Sequence, residues 1–125
     1  MEERVFRRKL ATILSADVVA YSRLMGDDEE ATVRTLIQHR ELISALVRKY
    51  AGRVVDSPGD NILAEYASVV DGVRCAVEMQ RELVLRNAEL PRNRRMDFRV
   101  GINLGDVIVD EDRIYGDGVN IAARL

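Results

Sequence analysis

The sequence predicts an α+β fold in which helices cover one sheet of short strands. Three observations predict it: apolar runs rich in β-branched residues, two segments with helical periodicity, and the alternation of these two kinds of segment along the chain. The chain has 125 residues, of which 47% are hydrophobic and 32% are charged. That length suits one domain with its own core, and that composition excludes a disordered or fibrous protein. We therefore expect residues 1–125 to belong to a single domain.

Counts of a few residue types exclude several classes of protein. A single cysteine, Cys75, excludes an intramolecular disulfide framework, and one cysteine with one histidine excludes a zinc finger. The formal net charge of −2 gives no basic field that would attract nucleic acid. No apolar run reaches the roughly 20 residues of a membrane span, and the first residues do not have the pattern of a signal peptide. We expect a soluble, cytoplasmic domain that binds neither nucleic acid nor membranes.

The first half of the chain predicts a strand, a loop and a long helix. Residues 10–19 are apolar and β-branched, as in a buried strand. Gly26 and the acidic run after it indicate a loop and a helix start, and from about residue 27 to 50 apolar residues recur three and four apart. Acidic residues at the start of this helix and basic residues at its end both suit the helix dipole. Gly52 is expected to end it.

A hairpin and a second helix follow. Two short apolar runs flank Pro58-Gly59-Asp60, which is typical of a tight turn between strands. Ser68 and Asp71 have the spacing of a capping box that opens a helix reaching about Asn87. The second helix therefore returns the chain to the sheet.

The apolar positions of the two helices define the faces that we expect to pack on the sheet. His39 lies off the apolar stripe of the first helix and is expected to be solvated, and Cys75 is expected to be a small core or boundary residue. The expected core positions are Val33, Leu36, Ile37, Ile43, Leu46, Val47 and Tyr50 in the first helix, and Val69, Val73, Ala76, Val77, Leu83 and Val84 in the second.

The last third predicts two more strands. Apolar and polar residues alternate strictly over residues 96–102, which indicates a half-buried strand. A turn is expected at Leu104-Gly105-Asp106, followed by a strand over residues 107–110. The resulting order, β-α-β-β-α-β-β, is a ferredoxin-like βαββαβ core with an appended strand. A third helix is predicted to begin within the last seven residues. Because so short a helix is not stable, we expect the natural domain to continue beyond Leu125.

Two acidic residues are candidates for metal binding. Asp17 interrupts an otherwise apolar strand, and Asp60 lies in the hairpin turn. If their strands are neighbours, the two carboxylates meet at one end of the sheet and suit Mg²⁺ that is held partly by a substrate's phosphates. Two plainer interpretations stay open. Asp60 could be an ordinary turn residue, and Asp17 could belong to a structural network whose hydrogen bonds are all satisfied.

A second candidate group follows the glycine-rich turn Gly116-Asp117-Gly118. Asn120 and Arg124 are four residues apart, so they share one face of the third helix. An amide and a guanidinium together could stabilise negative charge that develops during a phosphoryl transfer. A solvated helix face after a glycine turn explains the same residues, because a short glycine-rich loop is a weak signal.

Four segments of the chain, in order, resemble the bacterial type of class III adenylate/guanylate cyclase catalytic domain. That resemblance implies the class III nucleotide cyclase fold, an α/β sandwich. It also implies conversion of a nucleoside triphosphate, ATP by family, into a 3′,5′-cyclic nucleotide and pyrophosphate in intracellular signalling. The matching segments are ATILSADVVAYSRLM, RVVDSPGDNILAEY, FRVGINLGDVIV and IYGDGVNIAARL.

The resemblance assigns roles to individual residues. Asp17 and Asp60 stand at the positions that bind two metal ions, Mg²⁺ or Mn²⁺, in the family. Asn120 and Arg124 stand at the positions that support the ribose and stabilise the transition state. Active members are head-to-tail homodimers within longer proteins, and each site combines the metal carboxylates of one chain with the Asn and Arg of the other. The phosphate-binding backbone would be that of Val18, Val19, Ala20 and Tyr21.

Two base-selecting positions depart from the family pattern. Asp56 stands where a lysine usually reads adenine, and Arg113 stands where its acidic or threonine partner is usual. The charges of the pair are therefore exchanged. Asp56 could accept hydrogen bonds from a guanine edge or an exocyclic amine, or it could simply pair with Arg113 in an altered or lost base site.

Two functions stay open from the sequence. The first is a metal-dependent nucleotide cyclase, which all four metal and transition-state residues favour. The alternative is a non-catalytic, cyclase-like module for dimerisation or nucleotide sensing, which the exchanged pair and the expected truncation favour.

Overall fold

A computed structural model describes residues 7–55, 59–110, 113–116, 119 and 121–122. Within these residues, five strands form one sheet and three α-helices accompany it. None of the helices in the described ranges combines the length and the apolar character needed to cross a membrane. The strands are β1 (Arg7–Val18), β2 (Arg53–Val55), β3 (Ile62–Tyr66), β4 (Phe98–Asp110) and β5 (Arg113–Tyr115), and the helices are α1 (Tyr21–Asp27), α2 (Glu29–Lys49) and α3 (Val69–Ala88), with a short 3₁₀ turn at Arg92–Arg94.

The sheet has the strand order β2-β3-β1-β4-β5, and every neighbouring pair is antiparallel. β1 is the central strand: it pairs with β3 from Thr12 to Ala16 and with β4 along its whole length. This arrangement confirms the predicted ferredoxin-like core with a strand added at one edge.

Alternate residues of β1 point to opposite faces of the sheet. Leu14, Ala16 and Val18 pack in a core cluster with α2 and α3. Ala11 and Ile13 belong to a smaller cluster on the opposite face, which Ala122 also joins. We call this opposite side the open face. Val119, Ile121 and Ala122 are helical and belong to the last helix predicted from the sequence, which we call the helix after β5.

The turn predicted at Leu104-Gly105-Asp106 is wrong. β4 runs without interruption from Phe98 to Asp110, and these three residues pair with Thr12, Ala11 and Leu10 of β1. Because β1 supplies a partner at every position, the backbone hydrogen bonds of the ladder outweigh the local turn preference of Leu-Gly-Asp. The appended strand is β5, and residues 107–110 are the end of β4.

The segment around Gly26, predicted as a loop, is helical and forms α1. Its Leu24 is buried, and the Leu24 carbonyl accepts a hydrogen bond of 2.7 Å from the Thr32 hydroxyl. The Arg94 guanidinium donates to the same Thr32 oxygen at 2.6 Å, from 62 positions along the chain. A contact at such separation is invisible in a local sequence window.

The core-facing sides of the two long helices differ from the predicted stripes. On α3, four of the predicted core residues are exposed: Val69, Val73, Val77 and Val84. Leu83 is buried as predicted, and the other buried residues of this helix are Gly72, Cys75, Met79 and Asn87.

Close approach explains the shift on α3. A Cβ at Gly72 would lie 3.0 Å from the Thr12 methyl carbon of β1. The small residue therefore faces the sheet and the branched valines face away from it.

α2 shows the same kind of difference. Its predicted limits hold to within two residues, but Ile37 is 53% exposed and His39, expected to be solvated, is only 2% exposed. The His39 ring packs against Phe98, with 6.0 Å between ring centroids. The imidazole thus occupies a core position that hydrophobic periodicity alone does not assign.

The end of α2 depends on two residues in different ways. Ala51 adopts the left-handed conformation, with φ of 59°. The Gly52 amide donates a hydrogen bond of 2.8 Å to the Val47 carbonyl. The Gly52 backbone is not left-handed, but a Cβ there would lie 2.5 Å from the Tyr66 ring. Gly52 is therefore required for space and not for backbone freedom.

We expect Gly52→Ala to lower the free energy of unfolding by about 1–3 kcal/mol, because the added methyl group overpacks against Tyr66 and Val47. Urea denaturation followed by circular dichroism measures this free energy of unfolding. The matched control is Gly26→Ala in α1, where a Cβ meets nothing within 4 Å and a helix gains up to about 1 kcal/mol from alanine. Equal midpoints for Gly52→Ala and the parent would contradict the packing argument.

Burial of His39 predicts a pH-dependent stability. Burial lowers the pKa of His39 below 6.5, the nearby Arg86 cation lowers it further, and an interaction with Asn87 opposes the shift. The unfolded chain therefore takes up a proton near pH 6.5 while the folded chain does not. The contribution of His39 is fully present above that pH and is lost as the pH falls toward the folded-state pKa.

The measurement is the free energy of unfolding between pH 7.5 and 5. The parent should lose stability relative to His39→Gln by at most about 1.4 kcal/mol per pH unit, the limit for one proton. Parallel curves for the two proteins would show that His39 titrates alike in both states.

Candidate active site

Strand pairing brings Asp17 and Asp60 to the same end of the sheet. In the β1–β3 ladder, Ala16 pairs with Ile62, so Asp17 follows the last paired residue of β1 and Asp60 precedes β3 by two positions. Both residues are half-buried. The expected meeting of these carboxylates therefore depends on the register of the two strands.

Asp60 ties the β2–β3 turn to the end of β1. Its Oδ2 accepts a hydrogen bond of 3.0 Å from the Val18 amide. Gly59 precedes it with φ of 63°, a conformation that favours glycine, and the Gly59 carbonyl accepts from the Arg40 guanidinium at 3.1 Å. The turn is thus held from both the sheet and α2.

Asp17 is held by Asn61, a residue that sequence reasoning did not single out. The Asn61 Nδ2 donates to Asp17 Oδ1 at 2.9 Å and to Ser15 Oγ at 2.8 Å, with the Ala16 carbonyl at 3.4 Å. Ser15 and Asp17 lie on the open face of β1, because residues two apart on a strand share a face. The signal for Asn61 in the sequence was its place directly after Asp60.

The two carboxylates fit a divalent cation. Each uses one oxygen in the internal bonds just described, and among the described residues no hydrogen bond reaches Asp17 Oδ2 or Asp60 Oδ1. Carboxylate oxygens suit Mg²⁺, which typically takes one or two of them and completes its shell with water and substrate phosphates. The described residues hold no cluster of three or more His, Cys, Asp or Glu that could bind a metal by themselves. Further ligands would have to come from water or from a bound substrate.

The backbone from Val18 to Tyr21 is only partly available for phosphates. The Val18 amide donates to Asp60, and the Val19 amide donates to the Asp97 carbonyl at 2.8 Å. Ala20 turns the chain into α1 with a left-handed φ of 54°. In this conformation, phosphate contacts would be left to the amides of Ala20 and Tyr21.

Asp56, Asn120 and Arg124 lie outside the described residues. Arg113 is exposed on β5, where it pairs in register with Asp110. In the helix after β5, Ala122 is buried in the open-face cluster with Val107 and Ile114.

The described residues of the helix after β5 lie against the open face of the sheet. Ile121 lines a cavity of about 420 Å³ together with Arg8, Asp106 and Tyr115. Ala122 belongs to the same buried cluster as Ala11 and Ile13 of β1. This helix therefore packs on the face of β1 that also carries Asp17.

Comparison with known proteins decides the family. Residues 5–125 match the family model of the adenylate and guanylate cyclase catalytic domain. The chain belongs to that family.

Individual relatives agree with this assignment. The cyclase domain is 45% identical over 127 residues to a putative adenylate cyclase 3 of Rhizobium meliloti, aligning over its full length but spanning 22% of that protein. A crystal structure of an adenylate/guanylate cyclase/hydrolase from Silicibacter pomeroyi superposes with a TM-score of 0.86 at 38% identity, over 96% of this chain and 70% of that one. The adenylyl cyclase CyaB of P. aeruginosa has the same fold, with a TM-score of 0.82 at 21% identity, over 96% of this chain and 72% of that one.

Asp60 is expected to contribute to stability independently of any metal. Asp60→Ala removes the acceptor of the Val18 amide and should lower the free energy of unfolding by about 1–2 kcal/mol in EDTA. Asp60→Asn keeps an acceptor oxygen and should cost less than about 1 kcal/mol. The control is Asp27→Ala, which removes an exposed carboxylate 3.7 Å from Arg23. Equal losses of unfolding free energy in Asp60→Ala and Asp27→Ala would contradict a stabilising role for the hydrogen bond between Asp60 and the Val18 amide.

Proposed function

We propose that this domain is the catalytic part of a cytoplasmic signalling cyclase that converts a nucleoside triphosphate, ATP by family, into the 3′,5′-cyclic nucleotide and pyrophosphate. The observation that carries the proposal is the pair Asp17 and Asp60, held at the same end of the sheet, each with one carboxylate oxygen that no hydrogen bond from the described residues engages. Membership of the cyclase catalytic domain family supports it.

The reaction is an intramolecular displacement. The ribose 3′-oxygen attacks the α-phosphorus, its proton is lost, and the bond from that phosphorus to the bridging oxygen of pyrophosphate breaks. Because both reacting groups belong to one substrate, the protein acts mainly by fixing their geometry and stabilising charge. Asp17 and Asp60 would hold two ions, Mg²⁺ or Mn²⁺, which when bound neutralise the triphosphate and make the 3′-hydroxyl more acidic.

Asn120 and Arg124 would act from a second copy of the chain. Membership of the cyclase catalytic domain family supports this, because sites of active members combine the metal carboxylates of one chain with the Asn and Arg of the other. A head-to-tail homodimer would place the amide of Asn120 on the ribose and the guanidinium of Arg124 on the developing negative charge. Each dimer would then hold two composite sites.

The base of the substrate would be read at Asp56 and Arg113. An acidic residue and an arginine, in place of the family's lysine and its partner, favour a base that offers donors to Asp56. A pair between the two side chains, with little base selection, is the competing arrangement. The identity of the cyclic product distinguishes the two.

We expect Asp17→Asn and Asp60→Asn to lower metal-dependent turnover by about 100-fold or more, because each removes the charge of a metal ligand while keeping a hydrogen-bond acceptor of the same shape. The assay is formation of cyclic nucleotide by a form of the protein extended past Leu125, with Mn²⁺ or Mg²⁺. Asp27→Asn in α1 is the matched control and should leave turnover unchanged. Full activity of Asp17→Asn would refute the metal role of Asp17.

The same assay separates the cyclase from the non-catalytic module. Each of the four nucleoside triphosphates is supplied in turn, and mass spectrometry looks for the cyclic product and pyrophosphate. A single cyclic product identifies the base that the site selects. No product from a folded, dimeric protein with any of the four would favour a module that senses nucleotide or dimerises.

A further inference from the structure

Asn61 is linked to both carboxylates of the candidate site, to Asp60 through the chain and to Asp17 through a hydrogen bond. It follows Asp60 directly in the chain, and its side-chain amide donates to Asp17 Oδ1 at 2.9 Å. A single residue therefore connects the β2–β3 turn, which carries one carboxylate, to the end of β1, which carries the other.

The Asn61 amide is itself fixed. Its Nδ2 has two hydrogens, and the acceptors at 2.8 and 2.9 Å are Ser15 Oγ and Asp17 Oδ1. Ser15 is only 2% exposed, so its hydroxyl is a rigid anchor on the open face. Two strong bonds in a fork of this kind determine the plane of the amide.

The consequence is a fixed orientation for the Asp17 carboxylate. With Oδ1 engaged, rotation of the carboxylate would break a hydrogen bond to a charged acceptor, which is stronger than a hydrogen bond between neutral groups. Oδ2 is thereby held in the direction set by Asn61, and no hydrogen bond from the described residues engages it. Asp60 is held in the same way by the Val18 amide.

We propose that Asn61 is a positioning residue that orients Asp17 for binding a divalent cation. The proposal rests on the metal role of Asp17 and Asp60 given under the proposed function. Asn61 acts through Asp17, and Ser15 in turn acts through Asn61. Outer-shell partners of this kind typically change metal affinity by 10–100-fold when removed.

The test measures binding of Mn²⁺ alone, by water-proton relaxation, to the folded chain. Asn61→Ala should raise the Mn²⁺ dissociation constant by about tenfold. Asn61→Leu keeps approximately the volume of asparagine without a donor and should give the same result, so that one variant decides if the other does not fold. The matched control is Asn93→Ala, which removes an exposed amide in the 3₁₀ turn and should leave Mn²⁺ binding unchanged.

A purely structural role for Asn61 predicts a different result. The thermal midpoint of the metal-free protein would fall in Asn61→Ala and Asn61→Leu, while the Mn²⁺ dissociation constant would equal that of the parent. That result overturns the positioning role. In the extended protein, positioning further predicts that more metal is needed for half-maximal turnover and that kcat recovers at saturating Mn²⁺.

Asp17→Asn separates failure of this proposal from failure of the proposed function. If the parent binds Mn²⁺, Asp17→Asn does not, and the Asn61 variants bind like the parent, only the positioning role fails. If the parent and Asp17→Asn behave alike, the metal role of Asp17 fails, and the role of Asn61 fails with it. A Ser15→Ala, Asn61→Ala double variant should match Asn61→Ala alone, because Ser15 has no route to Asp17 except through that amide.

Discussion

The register of the central strand β1 determines both the core and the candidate site. Leu14, Ala16 and Val18 pack under the helices, so Ser15 and Asp17 must lie on the open face. A slip of one residue against β3 or β4 would place the Asp17 carboxylate in the apolar core and the leucine on the other side. Packing of the apolar residues therefore selects the face of the carboxylate as well, and no separate element is needed to place it.

The same register removes Ser15 and Asp17 from water, and hydrogen bonds from the β2–β3 turn offset that loss of hydration. Polar side chains on a buried strand lose hydration, and a carboxylate without partners is especially unfavourable there. Asn61 supplies donors to Ser15 and Asp17, and Asp60 accepts from the last amide of β1. Among the described residues, the hydrogen bonds that stabilise the strand end thus also leave one oxygen of each carboxylate without a hydrogen bond. Stability and ligand binding depend on the same few contacts at this end of the sheet.

How much of the fold and of the candidate site could be predicted from the sequence depends on how far apart in the chain the contacting residues lie. Local periodicity and turn residues predict the two long helices, the β2–β3 hairpin and a shared end of the sheet for Asp17 and Asp60, and the structure agrees with them. The burial of His39, the outward valines of α3 and the unbroken β4 depend on partners far along the chain, such as Phe98, Thr12 and Ala11. Asn61 was overlooked for the same reason, because its importance lies in contacts with residues of β1 more than 40 positions away.

The rigidity of the carboxylate pair has a consequence for the proposed reaction. Asn61 and the Val18 amide fix Asp17 and Asp60 on the sheet, so one chain would form the metal-binding half of the site. Asn120 and Arg124 would come from a second copy, as in the head-to-tail dimers of the family that the sequence resembles. Under the proposed function, turnover would therefore depend on association of two chains. A cyclase built this way would be controlled by whatever changes the distance or angle between two copies, with no change needed inside either one.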